Sequence, residues 1–167
     1  MRSLHLLRHA KSSWAEPGLA DHERPLAARG RRDAKRIAKH LRRVGCSPEL
    51  VLCSTAARTR ETLELIRPAL DASTVVLDED LYGASSDQLL ARLRRVPDTV
   101  ASVMLIGHNP GIQQLALALA STGGELGRLE AKFPTAALAT LTLPKPWSRL
   151  EPGDAALSAY VRPKQLR

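Results

Sequence analysis

A repeated local pattern constrains this chain more than any other feature: a short apolar run stops at polar residues, and a helical periodicity follows. Leu4 to Leu7 runs into Arg8 and His9, and Val51 to Cys53 runs into Ser54, Thr55, Ala56, Ala57 and Arg58. Val103 to Ile106 runs into Gly107, His108, Asn109, Pro110 and Gly111. Each junction reads as strand, turn and helix. The alternation predicts an α/β fold with a mostly parallel sheet. Strands are expected near 2–8, 49–53, 73–77, 101–107, 136–143 and 156–161, and helices near 26–45, 55–69, 86–95 and 111–121. No helical run stands between the Gly123-Gly124 segment and the strand from Ala136, so the late strands fit antiparallel additions at an edge, in an order left open.

The chain has 167 residues, and the expectation is one domain, 1–167, burying roughly 70% of the surface an unfolded chain exposes. Aromatic residues make up only 3%, so the core falls to Leu, Val, Ile and Ala. The first apolar stretch is four residues long and interrupted by His5, too short for a signal peptide or a membrane span, which makes a cytoplasmic location the default expectation. Cys46 and Cys53 show neither CxxC nor zinc spacing and read as reduced thiols.

The net charge of +8 is unevenly placed. Arg29, Arg31, Arg32, Lys35, Arg36, Lys39, Arg42 and Arg43 fall within fifteen residues beside one acid, Asp33. Ala34, Ile37, Ala38, Leu41 and Val44 recur at helical spacing, so the cations occupy the opposite face. That face is either a solvated exterior or a docking surface for an acidic partner such as a phosphoprotein or nucleic acid. Nucleic acid is the weaker reading, because aromatic platforms for single strands are missing. Between Ser13 and Pro25 no period is visible, and the segment reads as a loop over the first strand's carboxyl end.

In open α/β sheets the ligand crevice lies beyond the carboxyl ends of the strands, so Arg8, His9, Arg58 and His108 can converge there. Two forked guanidinium groups suit the oxygens of a phosphoryl group. Arg58, in the first turn of its helix, projects back toward the positive end of the dipole. A neutral imidazole is abundant near pH 7 and forms a labile P–N bond. His9, directly against Arg8 at the end of a central strand, is the better nucleophile, and His108 suits hydrogen bonding to a phosphoryl oxygen. His5, His22 and His40 read as ordinary strand, loop and helix residues without metal-ligand spacing to the other two.

These residues resemble the histidine phosphatase superfamily. Leu7-Arg8-His9-Ala10-Lys11-Ser12-Ser13-Trp14 looks like the Arg-His-Gly signature, Ser54 to Thr62 like the second motif, and Gly107 to Gly111 like the third, in order and over nearly the full length. The resemblance implies a three-layer α/β/α sandwich, with His9 as the phosphorylated residue, Arg8, Arg58 and His108 binding phosphate, and no metal or other cofactor. Ala10 replaces the usual glycine, which implies a position that does not need positive φ. The short chain, with Asp21 to Gly30 and a late Arg162-Pro163-Lys164, looks like the small bacterial phosphohistidine phosphatase branch.

The function implied is a hydrolase that removes phosphate from phosphohistidine on a protein. The alternatives are a phosphatase for small phosphate esters and a phosphate-binding sensor without turnover. Ester chemistry calls for a carboxylic acid, for which Glu79 is the candidate and Asp80 the substitute, against the plain reading of a solvated acidic turn. Glu61 reads as a helix-surface partner of Arg58. Ser12 is a further candidate for phosphate contact, or a solvated loop residue. No membrane partner is expected, and the oligomeric state is left open.

Overall fold

The computed structural model describes residues 1–71 and 73–166. Among the described residues, seven strands form one sheet: β1 (Arg2–Arg8), β2 (Leu50–Ser54), β3 (Thr74–Asp78), β4 (Ser102–Gly107), β5 (Ala120–Thr122), β6 (Leu138–Leu143) and β7 (Ala155–Val161). Their order across the sheet is β3-β2-β4-β1-β6-β7-β5. The first four in that order are parallel, whereas β6 runs antiparallel to β1, and β7 antiparallel to β6. The late strands thus are antiparallel additions, with β5 attached parallel to β7 at the far edge.

Helices α1 (Ala28–Val44) and α2 (Ala57–Ile66) cover one face of the sheet, and α3 (Ser86–Arg94), α4 (Gly111–Leu119) and the short α5 (Leu126–Ala131) lie over the other. Two apolar cores result. Leu7, Val51, Cys53, Met104 and Ile106 pack toward α1 and α2, while Leu4, Leu6, Leu52, Val103 and Leu105 pack toward α3 and α4. A parallel strand buried on both faces must be apolar at nearly every position, which is why β4 reads Val-Met-Leu-Ile without alternation. No helix among the described residues is long and apolar enough to cross a membrane.

Helix α1 forms where the periodicity predicts. Ala34, Ile37, Ala38 and Leu41 face inward and the basic residues stay exposed, whereas Val44, expected inward, is exposed in the last turn. Burying Ile37 and Leu41 contributes about 2 kcal/mol each. Gly45, at φ 68°, ends the helix in the left-handed conformation. Gly30 is required for a different reason: a Cβ there would lie 2.1 Å from the Lys11 carbonyl oxygen. Its absence lets the first turn of α1 rest on the segment that follows β1, where Ala27 N also donates to Lys11 O at 2.9 Å.

Three elements depart from the sequence expectation. Helix α5 occupies Leu126–Ala131, where no helical run is expected between Gly123-Gly124 and the strand from Ala136. The helix expected over 111–121 ends at Leu119, because Ala120–Thr122 pairs with β7. The helix expected over 55–69 is regular only to Ile66, and its last turn tightens to a 3-10 turn at Arg67–Ala69 around Pro68.

Candidate active site

The register between β1 and β4 builds the site. These parallel neighbours pair Arg8 with Gly107, so His9 and His108, each the next residue along, emerge side by side. Parallel strands lie about 4.8 Å apart, and the two rings sit with centroids 5.3 Å apart. His9 N donates to Gly107 O at 3.1 Å, which fixes the join. On the far side of β4, Ser54 ends β2 and its hydroxyl lies 2.8 Å from His108 Nε2. Arg58 follows in the first turn of α2.

His9 is 7% exposed. Its Nδ1 lies 2.7 Å from Ala10 O. A carbonyl oxygen only accepts, so Nδ1 carries the proton and Nε2 keeps its lone pair. Burial, followed by the neighbouring His108, Arg58 and Arg8, pushes its pKa down to about 3, against the Ala10 bond that favours the protonated ring. Burial and Arg58 likewise push His108 down to about 4. Both imidazoles are neutral at ordinary pH. Ala10 is buried without positive φ, its N–H donating to Thr62 Oγ1, so alanine fits where the family pattern has glycine.

The arginines are held by backbone oxygens. Arg8 Nη1 donates to Phe133 O at 3.0 Å, and Arg58 Nη1 donates to Asp21 O at 2.8 Å. Their Nε atoms, with His108 Nδ1, are buried and find no partner among the described residues. Unpaired buried donors are costly. With His108, Arg58 and Arg8 all close enough to lower the His9 pKa, the site is a cationic cup suited to a tetrahedral oxyanion. Across the mouth stand Tyr82 and His22, with Tyr82 edge-on to both His22 and His108 at centroid separations of 4.8 and 5.5 Å.

Arg8, His9, Arg58 and His108 therefore meet as expected. Ser12 and Glu79 are engaged differently. The Ser12 hydroxyl accepts from Arg24 Nη1 at 2.8 Å and so secures the loop, while Glu79 and Asp80 are exposed in a 3-10 turn after β3. Glu61 accepts from Leu26 N at 3.3 Å rather than from Arg58.

The carboxylate that reaches the cup is Asp21, from the loop over β1. Its Oδ2 accepts from Tyr82 Oη at 2.6 Å and from Arg58 Nη2 at 3.0 Å, and its Oδ1 from Arg24 Nε at 3.1 Å. The Tyr82 hydroxyl and then Arg58 hold its pKa well below the usual carboxylate range, outweighing the opposing desolvation. Sequence reasoning gave Asp21 and Tyr82 no role, because neither lies on a periodic element. Asn109 was visible within the third motif, and its Nδ2 donates to the same Phe133 carbonyl as Arg8. Ala136, at φ 62°, places its N–H on Arg8 O and His9 O. A left-handed alanine is strained by about 1 kcal/mol, and it closes the β6 side of the site.

Comparison with known proteins agrees with this fold. An uncharacterised protein of Mycobacterium tuberculosis (strain ATCC 25618 / H37Rv) is 40% identical over 162 residues, covering 95% of this chain and all of that protein. The structure of a candidate phosphohistidine phosphatase, SixA, from Nakamurella multipartitia superposes with a TM-score of 0.85 at 31% identity, over 97% of this chain and 96% of that one. The protein histidine phosphatase SixA complexed with tungstate gives a TM-score of 0.81 at 26% identity, over 99% of both chains. Residues 4–103 match the sequence pattern of the histidine phosphatase superfamily (branch 1), and the chain belongs to that family.

Proposed function

We propose that this protein hydrolyses phosphohistidine on a protein through a phosphorylated His9. The observation that carries the substrate class is the state of Asp21. An alkoxide leaving from a phosphate ester needs a proton, and the carboxylate in the cup is held ionised by Tyr82, Arg58 and Arg24. Tyr82 is no substitute, since its bond to Asp21 raises its own pKa. A phosphorylated imidazole carries its proton on the other ring nitrogen and departs as neutral imidazole, without drawing on the enzyme.

His9 Nε2 attacks phosphorus in line as the bond to the substrate nitrogen breaks. Arg8, Arg58 and His108 donate to the equatorial oxygens, with the Ser54 hydroxyl donating to His108 Nε2 so that Nδ1 bears the proton. Water then attacks phospho-His9, releasing phosphate and restoring the neutral ring. Transfer between two imidazoles is close to balanced, so binding energy is spent on orientation. The tungstate complex of the related SixA protein supports this reading, because tungstate is a tetrahedral oxyanion of phosphate-like shape.

Rapid-quench labelling tests the proposal. Wild type given a phosphohistidine-bearing protein should show an acid-labile label on His9 that forms and decays within turnover, and a small ester should react far more slowly. His9→Ala should lose label and turnover together. Turnover that survives in His9→Ala rejects the nucleophile, and equal rates on the two substrates reject the substrate class.

A further inference from the structure

A second basic cavity lies at the same end of the sheet as the phosphoryl cup, and the topology puts it there. Because β6 runs antiparallel to β1, the residues just before it, 132–135, lie at the carboxyl end of β1. Because β7 runs antiparallel to β6, the residues just after it, Arg162 to Lys164, return to that end. The first turn of α1 starts there as well, resting on Lys11. Between these three segments is a cavity of about 190 Å³ lined by Arg29, Lys132, Thr135, Arg162 and Lys164, with Asp33 its one carboxylate among the described residues.

The charges in this cavity do not cancel. Asp33 is buried and already lies 3.1 Å from Arg36 and 3.7 Å from Arg29. Arg162 Nε reaches only the neutral Gln165 amide oxygen, and the Lys132 and Lys164 ammonium groups form no ion pair among the described residues. Ala27, the N-cap of α1, offers no side-chain cap, and the first turn contains no acid. Positive charge is therefore stacked on the positive end of a helix dipole, an arrangement that favours an anion.

We propose that this cavity and the basic stripe of α1 dock acidic side chains flanking the phosphorylated residue of a protein substrate. The inference rests on the phosphoprotein reading of the cup and adds what selects the protein. From Arg29 the stripe continues through Arg32, Arg36, Lys39 and Arg43 at helical spacing, all exposed, over about 21 Å. A small phosphorylated metabolite cannot span that length, whereas an acidic protein face can. The cavity is also tied to the reacting centre. Its wall residues Pro134 and Thr135 stand between Phe133, whose carbonyl holds Arg8, and Ala136, whose N–H holds His9 O. A partner seated there touches the segment that holds Arg8 and His9.

The test uses the full chain and two phosphohistidine peptides that differ only in their flanks, four glutamates or four lysines. Wild type should turn over the glutamate-flanked peptide about tenfold more efficiently at low salt, as expected for a few rim ion pairs, and the preference should fade at high salt. Lys132→Glu combined with Lys164→Glu should lose or invert that preference while phosphoramidate hydrolysis stays within about twofold, which also certifies folding. The same flank preference should appear in direct binding of unphosphorylated peptides by fluorescence anisotropy, so the docking inference is judged even if His9 proves not to be the nucleophile. Equal flank preference in wild type and the double variant overturns the inference. So does a 20-nucleotide RNA that displaces the glutamate peptide at physiological salt.

Discussion

His5 and His9 lie four residues apart along β1 and its exit, and both rings are pushed to low pKa mainly by burial, to about 4 and about 3. Their surroundings differ. His5 Nδ1 lies 3.0 Å from Thr140 Oγ1, with the Cys46 sulfur 3.6–3.7 Å from both ring nitrogens, so every near partner is neutral. His9 has one nitrogen fixed by Ala10 O and the other free in a setting built by Arg8, Arg58 and His108. A depressed pKa thus reports desolvation and does not identify chemistry. The chemistry arises where several strand ends deliver cations to one place, which His5, in mid-strand, cannot share.

The largest effect expected from this contrast is kinetic. Arg58→Ala removes a buried guanidinium beside both histidines, and should lower kcat/KM for phosphohistidine by about 10² to 10³. His5→Asn should stay within about threefold. Steady-state kinetics on the two variants side by side decide the matter, and comparable losses would erase the distinction between the two environments.

Asp21 sharpens the comparison from the loop side. Asp21→Asn keeps the shape but weakens the grip on Arg58 and Tyr82, and because that carboxylate is half-exposed the expected loss in kcat/KM is about tenfold. Under the reading given above, Asp21 is a positioning group, so the loss should persist on protein phosphohistidine without any gain on esters. A rise in ester turnover would show that the carboxylate had been suppressing acid catalysis rather than orienting Arg58.

Much of this was legible from local pattern, and the exceptions share a physical cause. The runs at β1, β2 and β4 announce themselves because strands buried on both faces must be apolar, and the residues at their ends follow directly. Glu79 stood just past β3, where a carboxyl could reach the crevice, but the chain turns at Glu79–Leu81 and delivers Tyr82 instead. Asp21 lies in an aperiodic loop, and its role depends on Arg58 and Tyr82, 37 and 61 residues away in sequence. Strand β5 was hidden because Ala120 continues the apolar pattern of α4, and only pairing with β7, more than thirty residues later, ends the helix. Non-local partners decide such positions.

The smallest effect concerns stability and returns to His5. A histidine with a depressed folded pKa favours the native state when neutral, so its contribution is full above the unfolded pKa near 6.5 and is lost as pH falls toward about 4. His5 borders an open groove with Leu41, Val44, Cys46 and Thr140, so solvent softens the penalty, and the expected loss between pH 7 and pH 5 is about 1–2 kcal/mol. His5→Asn should flatten that part of the stability curve, measured by urea unfolding at a series of pH values, because asparagine does not titrate. His9 and His108 are displaced in the same direction and remain in the variant, so a residual slope must persist. An unchanged slope in His5→Asn would mean that the His5 ring is hydrated, and the likeness in burial between the two imidazoles of β1 would then fail.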